Sequence, residues 1–202
     1  MNSKNSIHSR LMARHRIVEQ AQEQFFAHGF MSVSMDNIAA ILGMSKKTLY
    51  HHFPSKNRLI EATMEEYIIT AIQRYKQIMN SSLEYVDKLY TTMRLVGNTF
   101  MKMGKQYRID LRSRRPDIWR RVDEIRMSTV FSNFKTFITM GIENGIVKSD
   151  VHPEMLLIAY ISALQGVDES SVLVNGMLSS DDAFESITRI MLDGILTEKA
   201  WQ

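Results

Sequence analysis

The 202-residue chain contains no cysteine and only three prolines, and it has no long apolar run. Without cysteine there can be no disulfide framework and no thiolate nucleophile, as is common in the reducing cytoplasm. No apolar stretch approaches the ~20 residues that a membrane span requires. The N-terminus also lacks the apolar core of a signal peptide. We therefore expect a cytoplasmic protein without a membrane partner.

Motifs of common catalytic chemistries are also missing. The chain has no HExxH, no phosphate-binding GxxxxGK and no GxSxG, and its carboxylates are scattered as on solvated helices. Adjacent His51 and His52 would point about 100° apart on a helix, and no third ligand follows at helical spacing. We therefore predict that the protein is not an enzyme and that it holds no metal ion and no cofactor.

What the chain does contain is helical periodicity. Apolar residues make up 45% of it, enough for a sizeable core, and they recur three and four positions apart. We predict an all-α fold of about nine helices, with residues 1–8 disordered. The predicted helices span 9–28, two short stretches within 34–53, then 56–79, 83–103, 105–113, 116–144, 153–175 and 181–198.

Residues 34–60 are the most informative stretch. Ser34 is placed to cap a first short helix, and Gly43 follows its last apolar residue as a left-handed stop. Ser45 caps a second, very short helix, and Pro54 ends it. Ser55 then caps a longer helix. One bracing helix, a tight turn and a short helix with a polar face predict a helix-turn-helix.

At these residues the chain resembles the DNA-binding domain of the TetR (tetracycline-repressor-like) family of bacterial transcription regulators. The similarity is ungapped over roughly residues 10–60, although Lys47 stands where many members carry a small residue. It runs through Ile17-Val18-Glu19, Phe25 to Phe30, Ser34 to Ala39, Gly43 to Lys46, Thr48 to Phe53 and Ser55-Lys56.

The second half resembles the effector-binding and dimerisation domain of the same family more loosely, so that the similarity extends to about residue 197. It is carried by Asp110 to Arg112, Pro116 to Trp119, Gly141 to Glu154 and Ala163 to Gly166. The resemblance implies a helix-turn-helix domain at 9–55 and a helical ligand-binding and dimerisation domain at 56–202. It also implies a ligand-responsive regulator, most simply a repressor, that binds palindromic operator DNA.

Charge is distributed as expected of a nucleic-acid reader. Residues 1–60 carry eight Lys and Arg against three Asp and Glu, a net charge of +5, whereas the remainder is net −2. Lys46, Lys47 and Tyr50 are candidates for base edges, and Thr48, His51 and Lys56 for phosphates. Tyr50 could instead be a core aromatic. The complete DNA-facing set is Ser34, Ser45, Lys46, Lys47, Thr48, Tyr50, His51 and Lys56.

Two such modules bind specifically when a two-fold dimer holds them one helical turn of DNA apart. The last two helices mix small and apolar residues, as a four-helix dimer interface requires, although the same stripes could be intrachain core. The predicted interface residues are Met155, Ile158, Ala159, Ser162, Ile187, Met191 and Ile195.

The middle helices are rich in methionine and aromatic residues, which suit an adaptable apolar pocket but also an ordinary core. The predicted pocket residues for an unknown, largely apolar small-molecule effector are Met93, Phe100, Met103, Tyr107, Trp119, Met127, Phe131, Phe134 and Gln165. A bound effector would favour a spacing of the two reading helices that no longer fits DNA, with the fourth helix as the connection.

Three other readings remain open. A helical carrier of apolar molecules would explain the methionines but not the basic stretch from Ser45 to Lys56. An activator would look the same in sequence as a repressor. The basic cluster Arg112, Arg114, Arg115, Arg120 and Arg121 could bind an anion or form a solvated face with local ion pairs.

Overall fold

The computed structural model describes residues 2–169 and 179–201, and over these residues the protein is almost entirely helical, which confirms the all-α prediction. Within them a single isolated bridge, Val147 to Leu196, is the only β-type pairing. None of the described helices is long and apolar enough to cross a membrane. The α-helices are α1 (Asn2–His28), α2 (Met35–Ile41), α3 (Lys46–His52), α4 (Lys56–Met79), α5 (Tyr85–Lys102), α6 (Lys105–Arg114), α7 (Pro116–Ile125), α8 (Ser132–Glu143), α9 (Pro153–Glu169) and α10 (Ser180–Ile195).

The predicted helix 116–144 is one continuous path, but it is not regular. A π-helical segment, Arg126–Phe131, separates α7 from α8. Such segments insert a residue into the helical ladder and shift the face that the following turns present. The segment contains no glycine or proline, so no local feature of the sequence indicated it. A 3-10 turn, Glu198–Trp201, follows α10.

Helix α1 begins earlier than the sequence predicted. It starts at Asn2, whereas residues 1–8 were expected to be disordered and the helix to begin at residue 9. The segment is polar, but it contains no proline or glycine that would stop a helix extending backward from the buried turns. The C-terminal end of α1 lies where the sequence predicted, because Gly29, with φ +76°, ends the helix.

The chain forms two compact units, each with its own core. The first comprises Met1–Thr70 with Lys102–Val122, and the second comprises Ala71–Met101 with Asp123–Gln202. The boundary therefore falls within α4, and α6 with most of α7 belongs to the first unit. The predicted functional division at residue 55 concerns roles rather than packing, and it stays a prediction.

The first unit is built around α1. Ile17, Ala21 and Phe25 lie on its buried side with no exposed surface, as the periodicity predicted. Leu49 of α3 and Leu59 of α4 are also fully buried in this core. Burying side chains of this size contributes about 1.5–3 kcal/mol each. Helix α3 is thus held by the single buried residue Leu49, whereas α2 buries Met35, Ile38 and Ala39.

Helix α6 packs against the end of α1 in the same unit. A side chain at Gly104 would collide with the carbonyl oxygen of Phe26, so this close approach needs glycine. The rings of Phe26 and Tyr107 lie 4.8 Å apart. The buried Asp110 carboxylate accepts a 2.9 Å hydrogen bond from the Met31 N–H, just beyond α1. These contacts fix the turn that leads into α2.

The second unit has a core formed by α5, α8, α9 and α10. Leu89, Phe134, Leu157 and Leu192 are buried there. The Tyr160 hydroxyl lies in the same core, where it donates to the Met93 carbonyl at 3.0 Å. Buried hydroxyls need such partners, because an unpaired one costs about 1–3 kcal/mol.

Candidate nucleic-acid interface

Helix α3 is held by its two ends and by one core residue. The Ser45 hydroxyl accepts the Thr48 N–H at 3.1 Å, and it lies 2.8 Å from the Thr48 hydroxyl, which confirms the predicted cap. Leu49 has no exposed surface, and Phe53, which follows the helix, is 2% exposed. Anchoring at positions 49 and 53 orients the seven-residue helix despite its short length.

The remaining face of α3 is polar, basic and exposed. Lys46, Lys47, Thr48, Tyr50 and His51 all present their side chains to solvent. Tyr50 retains 46% of its surface, which answers the open question of whether it is a core aromatic: it is not buried. Five of the predicted DNA-facing residues therefore share one exposed surface.

The two lysines of this face differ in their surroundings. Lys46 Nζ lies 2.5 Å from Asp36 Oδ2 of α2, and both side chains are more than half exposed. Exposed pairs of this kind contribute only about 0–1 kcal/mol, so a phosphate could displace the carboxylate. Within the described part of the chain Lys47 has no ion-pair partner. Lys47 is therefore the more available cation.

Ser34 has a structural role that competes with DNA contact. Its hydroxyl accepts the Asn37 N–H at 3.1 Å, while its own N–H donates to Asn37 Oδ1 at 3.0 Å, which completes a capping box. At the other end of α2, Gly43 has φ +63° and supplies the left-handed turn that the sequence predicted. The hydroxyl of Ser34 is exposed but already engaged.

Lys56 is less free than the sequence suggested. It begins α4, after the Ser55 hydroxyl that accepts the Arg58 N–H at 3.3 Å, and its side chain is half-buried. Burial lowers the pKa of the Lys56 ammonium, and the nearby Asp110 carboxylate partly opposes this effect. Asp110 of α6 thus influences a predicted phosphate contact, a link that no local motif indicated.

Two arginines of α1 join the edge of α3, and the sequence reasoning did not single them out. The Arg14 guanidinium lies 5.0 Å above the Phe53 ring, and Arg10 and Arg14 both act on the charge of His52. Burial, and then the charges of His51, Arg10 and Arg14, lower the pKa of the His52 imidazole. The only signal available was the excess of positive charge in residues 1–60.

The sequence profile described as bacterial regulatory proteins of the tetR family matches residues 17–63, which includes α2, α3 and the first turns of α4. The predicted resemblance to the TetR family is confirmed. The match supports a transcriptional regulator of the helix-turn-helix type.

Known proteins agree with this assignment over different lengths. The chain is 25% identical to an uncharacterised helix-turn-helix regulator, YvaF of Bacillus subtilis, over 91% of this chain and 96% of that protein. It is 28% identical to the transcriptional repressor KstR2 of Mycolicibacterium smegmatis, over 38% of this chain and 37% of that protein. A crystal structure of a TetR regulator from Chloroflexus aurantiacus shares the fold, with TM-score 0.74 at 18% identity, over 94% of this chain and 100% of that one.

The predicted interface residues separate by exposure. On α9, Met155 is 59% exposed and Ile158 is 47% exposed, and Ala159 and Ser162 lie beside them on the same exposed face. Large apolar side chains rarely remain this exposed in a row without a partner surface. The α9 face therefore has the character of an interface.

On α10 the prediction needs correction. Ile195 is only 8% exposed and packs in the core of its own unit, so it is not part of a free face. Ile187 and Met191 are half-buried against that core. Ile190, which the predicted interface does not include, is 68% exposed. The periodicity correctly predicted an apolar stripe on α10, but it could not predict which side of that stripe is buried against the core of the same unit.

The predicted pocket residues do not gather in one unit. Met103 and Tyr107 are buried in the core of the first unit because α6 packs on α1, so they are core residues there. Trp119 lies in the same unit, with the Arg112 guanidinium 5.3 Å from its ring. Met93, Phe134, Phe100 and Phe131 belong to the core of the second unit, Gln165 is exposed on α9, and the side chain of Met127 lies outside the described residues.

The second unit has an open groove on its surface. It measures about 480 Å³ and lies between the last turns of α4 and helix α5. Arg74, Arg94 and Asn98 provide its polar groups, and Ile78 and Leu95 part of its apolar lining. None of the eight predicted pocket residues whose side chains the structure describes lines it.

Two of the five arginines in the second basic cluster form local ion pairs, as one of the two readings left open expects. Arg115 donates to Glu61 Oε1 at 2.9 Å and to Asp117 Oδ2 at 2.7 Å, and its side chain is only 15% exposed. Arg121 lies 3.7 Å from Glu65. These pairs hold the α6–α7 junction to α4 within the first unit, so the charges of Arg115 and Arg121 are compensated locally.

Proposed function

We propose that this regulator binds palindromic operator DNA as a homodimer, represses the adjacent genes, and releases the DNA when a small molecule binds. The observation that carries the proposal is the exposed face of α3. Its five polar residues are not needed for packing, because Leu49 and Phe53 alone anchor the helix. A helix of this size fits the major groove, which is about 12 Å wide.

Within the proposed contact, Lys47 and Tyr50 read base edges. The Lys47 ammonium can donate to guanine O6 and N7, and the Tyr50 ring can lie against a thymine methyl. Lys46 joins them once its exposed pair with Asp36 opens. Thr48, His51 and Lys56 contact phosphates, which fix the orientation of the helix without reading sequence. Ser34 and Ser45 act first as caps, and their hydroxyls are secondary phosphate contacts.

The proposed dimer forms through the exposed α9 face together with the exposed edge of α10. Met155, Ile158 and Ile190 supply the apolar area, and Ala159 and Ser162 allow close approach of a second copy. Two-fold symmetry would place the two α3 helices about 34–36 Å apart, one turn of DNA. That spacing explains why a palindromic site would be preferred.

The proposed effector is a small, largely apolar molecule that binds the second unit. The protein would have one spacing of its reading helices that fits DNA and another that does not, and an effector shifts the population between them only if it binds one state more tightly. A coupling free energy of about 1–3 kcal/mol changes the DNA affinity about 5–150-fold. Because α4 contributes residues to both units, it is the proposed connection between them. Repression rather than activation is supported by the relative KstR2, which is named a transcriptional repressor.

Salt-dependent DNA binding tests the proposal most directly. Gel-shift titrations use a duplex selected from a randomised pool and, beside it, a mixed-sequence duplex. If the dimer neutralises about 6–10 phosphates, affinity falls about 10³–10⁵-fold between about 50 and 200 mM salt. The selected duplex should contain an inverted repeat. A protein that binds neither duplex at low salt, or whose affinity ignores salt, would refute the proposal.

A further inference from the structure

Four cationic or titratable side chains meet at the edge of α3 without a carboxylate among them. They are Arg10 and Arg14 of α1 and His51 and His52 of α3. Over the described ranges, no Asp or Glu forms an ion pair with any of the four. Arg10, Arg14 and His51 are exposed, and His52 is half-buried. Positive charge is therefore concentrated here without compensation.

The packing holds these groups in place. The Arg14 guanidinium lies 5.0 Å above the ring of the buried Phe53, and the rings of His51 and His52 are 5.7 Å apart at 75°. A cation over an aromatic face gains about 0.5–1 kcal/mol at an exposed site, and it loses little further entropy when it binds an anion. The cluster is thus organised before any ligand arrives.

An uncompensated cluster of this kind favours an anion that touches several of its members at once. Elsewhere in the first unit, Lys46 is paired with Asp36, and Arg115 with Glu61 and Asp117. Arginine and protonated histidine both form charge-assisted hydrogen bonds to phosphate oxygens. The cluster lies beside the exposed face of α3, where the backbone of a bound duplex would pass.

We propose that Arg10, Arg14, His51 and His52 form one phosphate-binding surface that grips the DNA backbone beside the reading helix. This inference rests on the proposed DNA-binding function and adds α1 and His52 to the predicted contacts. It assigns positioning rather than base reading to all four residues. Their contribution is therefore independent of DNA sequence.

Proton uptake follows from the same arrangement. The groups facing His52 are His51 from α3 and Arg10 and Arg14 from α1, and together with burial they keep its pKa below the usual 6.5. A backbone phosphodiester placed among them brings one negative charge, which opposes these effects and raises that pKa. DNA binding then strengthens as pH falls through the histidine range, by up to about tenfold per protomer for each pH unit.

The experiment measures the salt slope of binding to a mixed-sequence duplex for the wild type, Arg14→Gln and Arg14→Lys. Loss of one phosphate contact per protomer should make the slope of a dimer shallower by about 1.8 for Arg14→Gln, while Arg14→Lys should largely retain it. Arg120→Gln is the matched control, because Arg120 is exposed and its one hydrogen bond among the described residues is to the Pro116 carbonyl of its own helix. A thermal melt of each variant shows whether Arg14 is needed for folding.

The second arm compares affinities at about pH 8 and about pH 6 for the wild type, His52→Gln and the control His152→Gln in the second unit. The wild type and His152→Gln should bind more tightly at the lower pH, and His52→Gln should lose part of that gain. Unchanged salt slope in Arg14→Gln and unchanged pH dependence in His52→Gln would overturn this inference alone. If the wild type binds no duplex at all, the proposed function fails as well.

Discussion

The Phe184 ring occupies the space that a side chain on Gly97 would need. An added Cβ at Gly97 would overlap the edge atoms of the ring, so α5 and α10 approach each other at a position where one helix has no side chain. Phe184 is 7% exposed and Gly97 is buried. The two residues are 87 positions apart in sequence, and their contact sets how closely α5 and α10 pack in the second unit.

Gly97→Ala should therefore destabilise the second unit although alanine is the better helix former. Overpacking of a filled core costs about 1–3 kcal/mol, which exceeds the gain of up to about 1 kcal/mol from replacing a helical glycine. Denaturant unfolding of Gly97→Ala, Phe184→Leu and the double variant measures the coupling. The cost of the alanine should shrink once the ring is gone, and a strictly additive result would mean that the ring is not the obstacle.

Asp110→Ala should destabilise the turn between α1 and α2. The substitution leaves the Met31 N–H and the Gln106 amide, both 2.9 Å from the carboxylate, without their acceptor. Loss of a buried acceptor costs about 1–3 kcal/mol. Asp110→Asn retains one acceptor oxygen and should cost less. Thermal melts rank the three proteins, and equal melting temperatures for Asp110→Ala and wild type would contradict the assigned role.

Lys47→Ala should weaken binding to a selected operator and change the preferred bases at the positions it reads. Lys47 is exposed and free of ion pairs within the described residues, so its removal should disturb no packing. A lost base contact costs about 1–3 kcal/mol of discrimination. Selection from a randomised pool with both proteins reveals the preference. Lys47 would lose its reading role if affinity and selected sequence were the same for both.

Ile158→Glu should separate the proposed dimer, because it places a charge in the middle of the exposed α9 face. Ile109→Glu on α6 is a matched control, since Ile158 and Ile109 are each 47% exposed. Light scattering after size-exclusion chromatography gives the mass of each variant. The α9 face is the interface if only Ile158→Glu becomes monomeric and loses operator affinity. Dimers of normal affinity in both variants would place the interface elsewhere.

Acid should weaken the first unit through the pair of Arg115 with Asp117. The Arg115 guanidinium is the main reason that the pKa of Asp117 falls to about 2, and it also lowers the pKa of Glu61. A carboxylate with a depressed folded-state pKa stabilises the fold above its unfolded pKa of 3.8, and this stabilisation disappears as pH falls towards 2. Asp117→Asn should be less stable than wild type at neutral pH, and the two melting curves should converge in acid.

Much of the first unit could be predicted from the sequence because its signals are local. Caps at Ser34 and Ser45, the stops at Gly29 and Gly43, and the anchor Leu49 each depend on neighbours within a few positions. The position of α6 could not be predicted in this way. Met103 and Tyr107 looked like pocket residues until the packing of α6 on α1 placed them in the core, a contact between residues about 80 positions apart, as in the Met31–Asp110 bond.

The order of residues by itself determined that this chain is helical, where most helices begin and end, and that one short basic helix has a face not needed for folding. Capping, left-handed glycines and apolar periodicity are properties of a few successive residues, so they can be recognised without knowing the tertiary structure. Tertiary structure alone decided that Ile195 is covered while Ile158 is bare, that Asp110 reaches the environment of Lys56, and that Arg14 stands beside His52. Each of these depends on which helices meet, and that is decided by how the apolar faces of many helices pack together in the core of each unit.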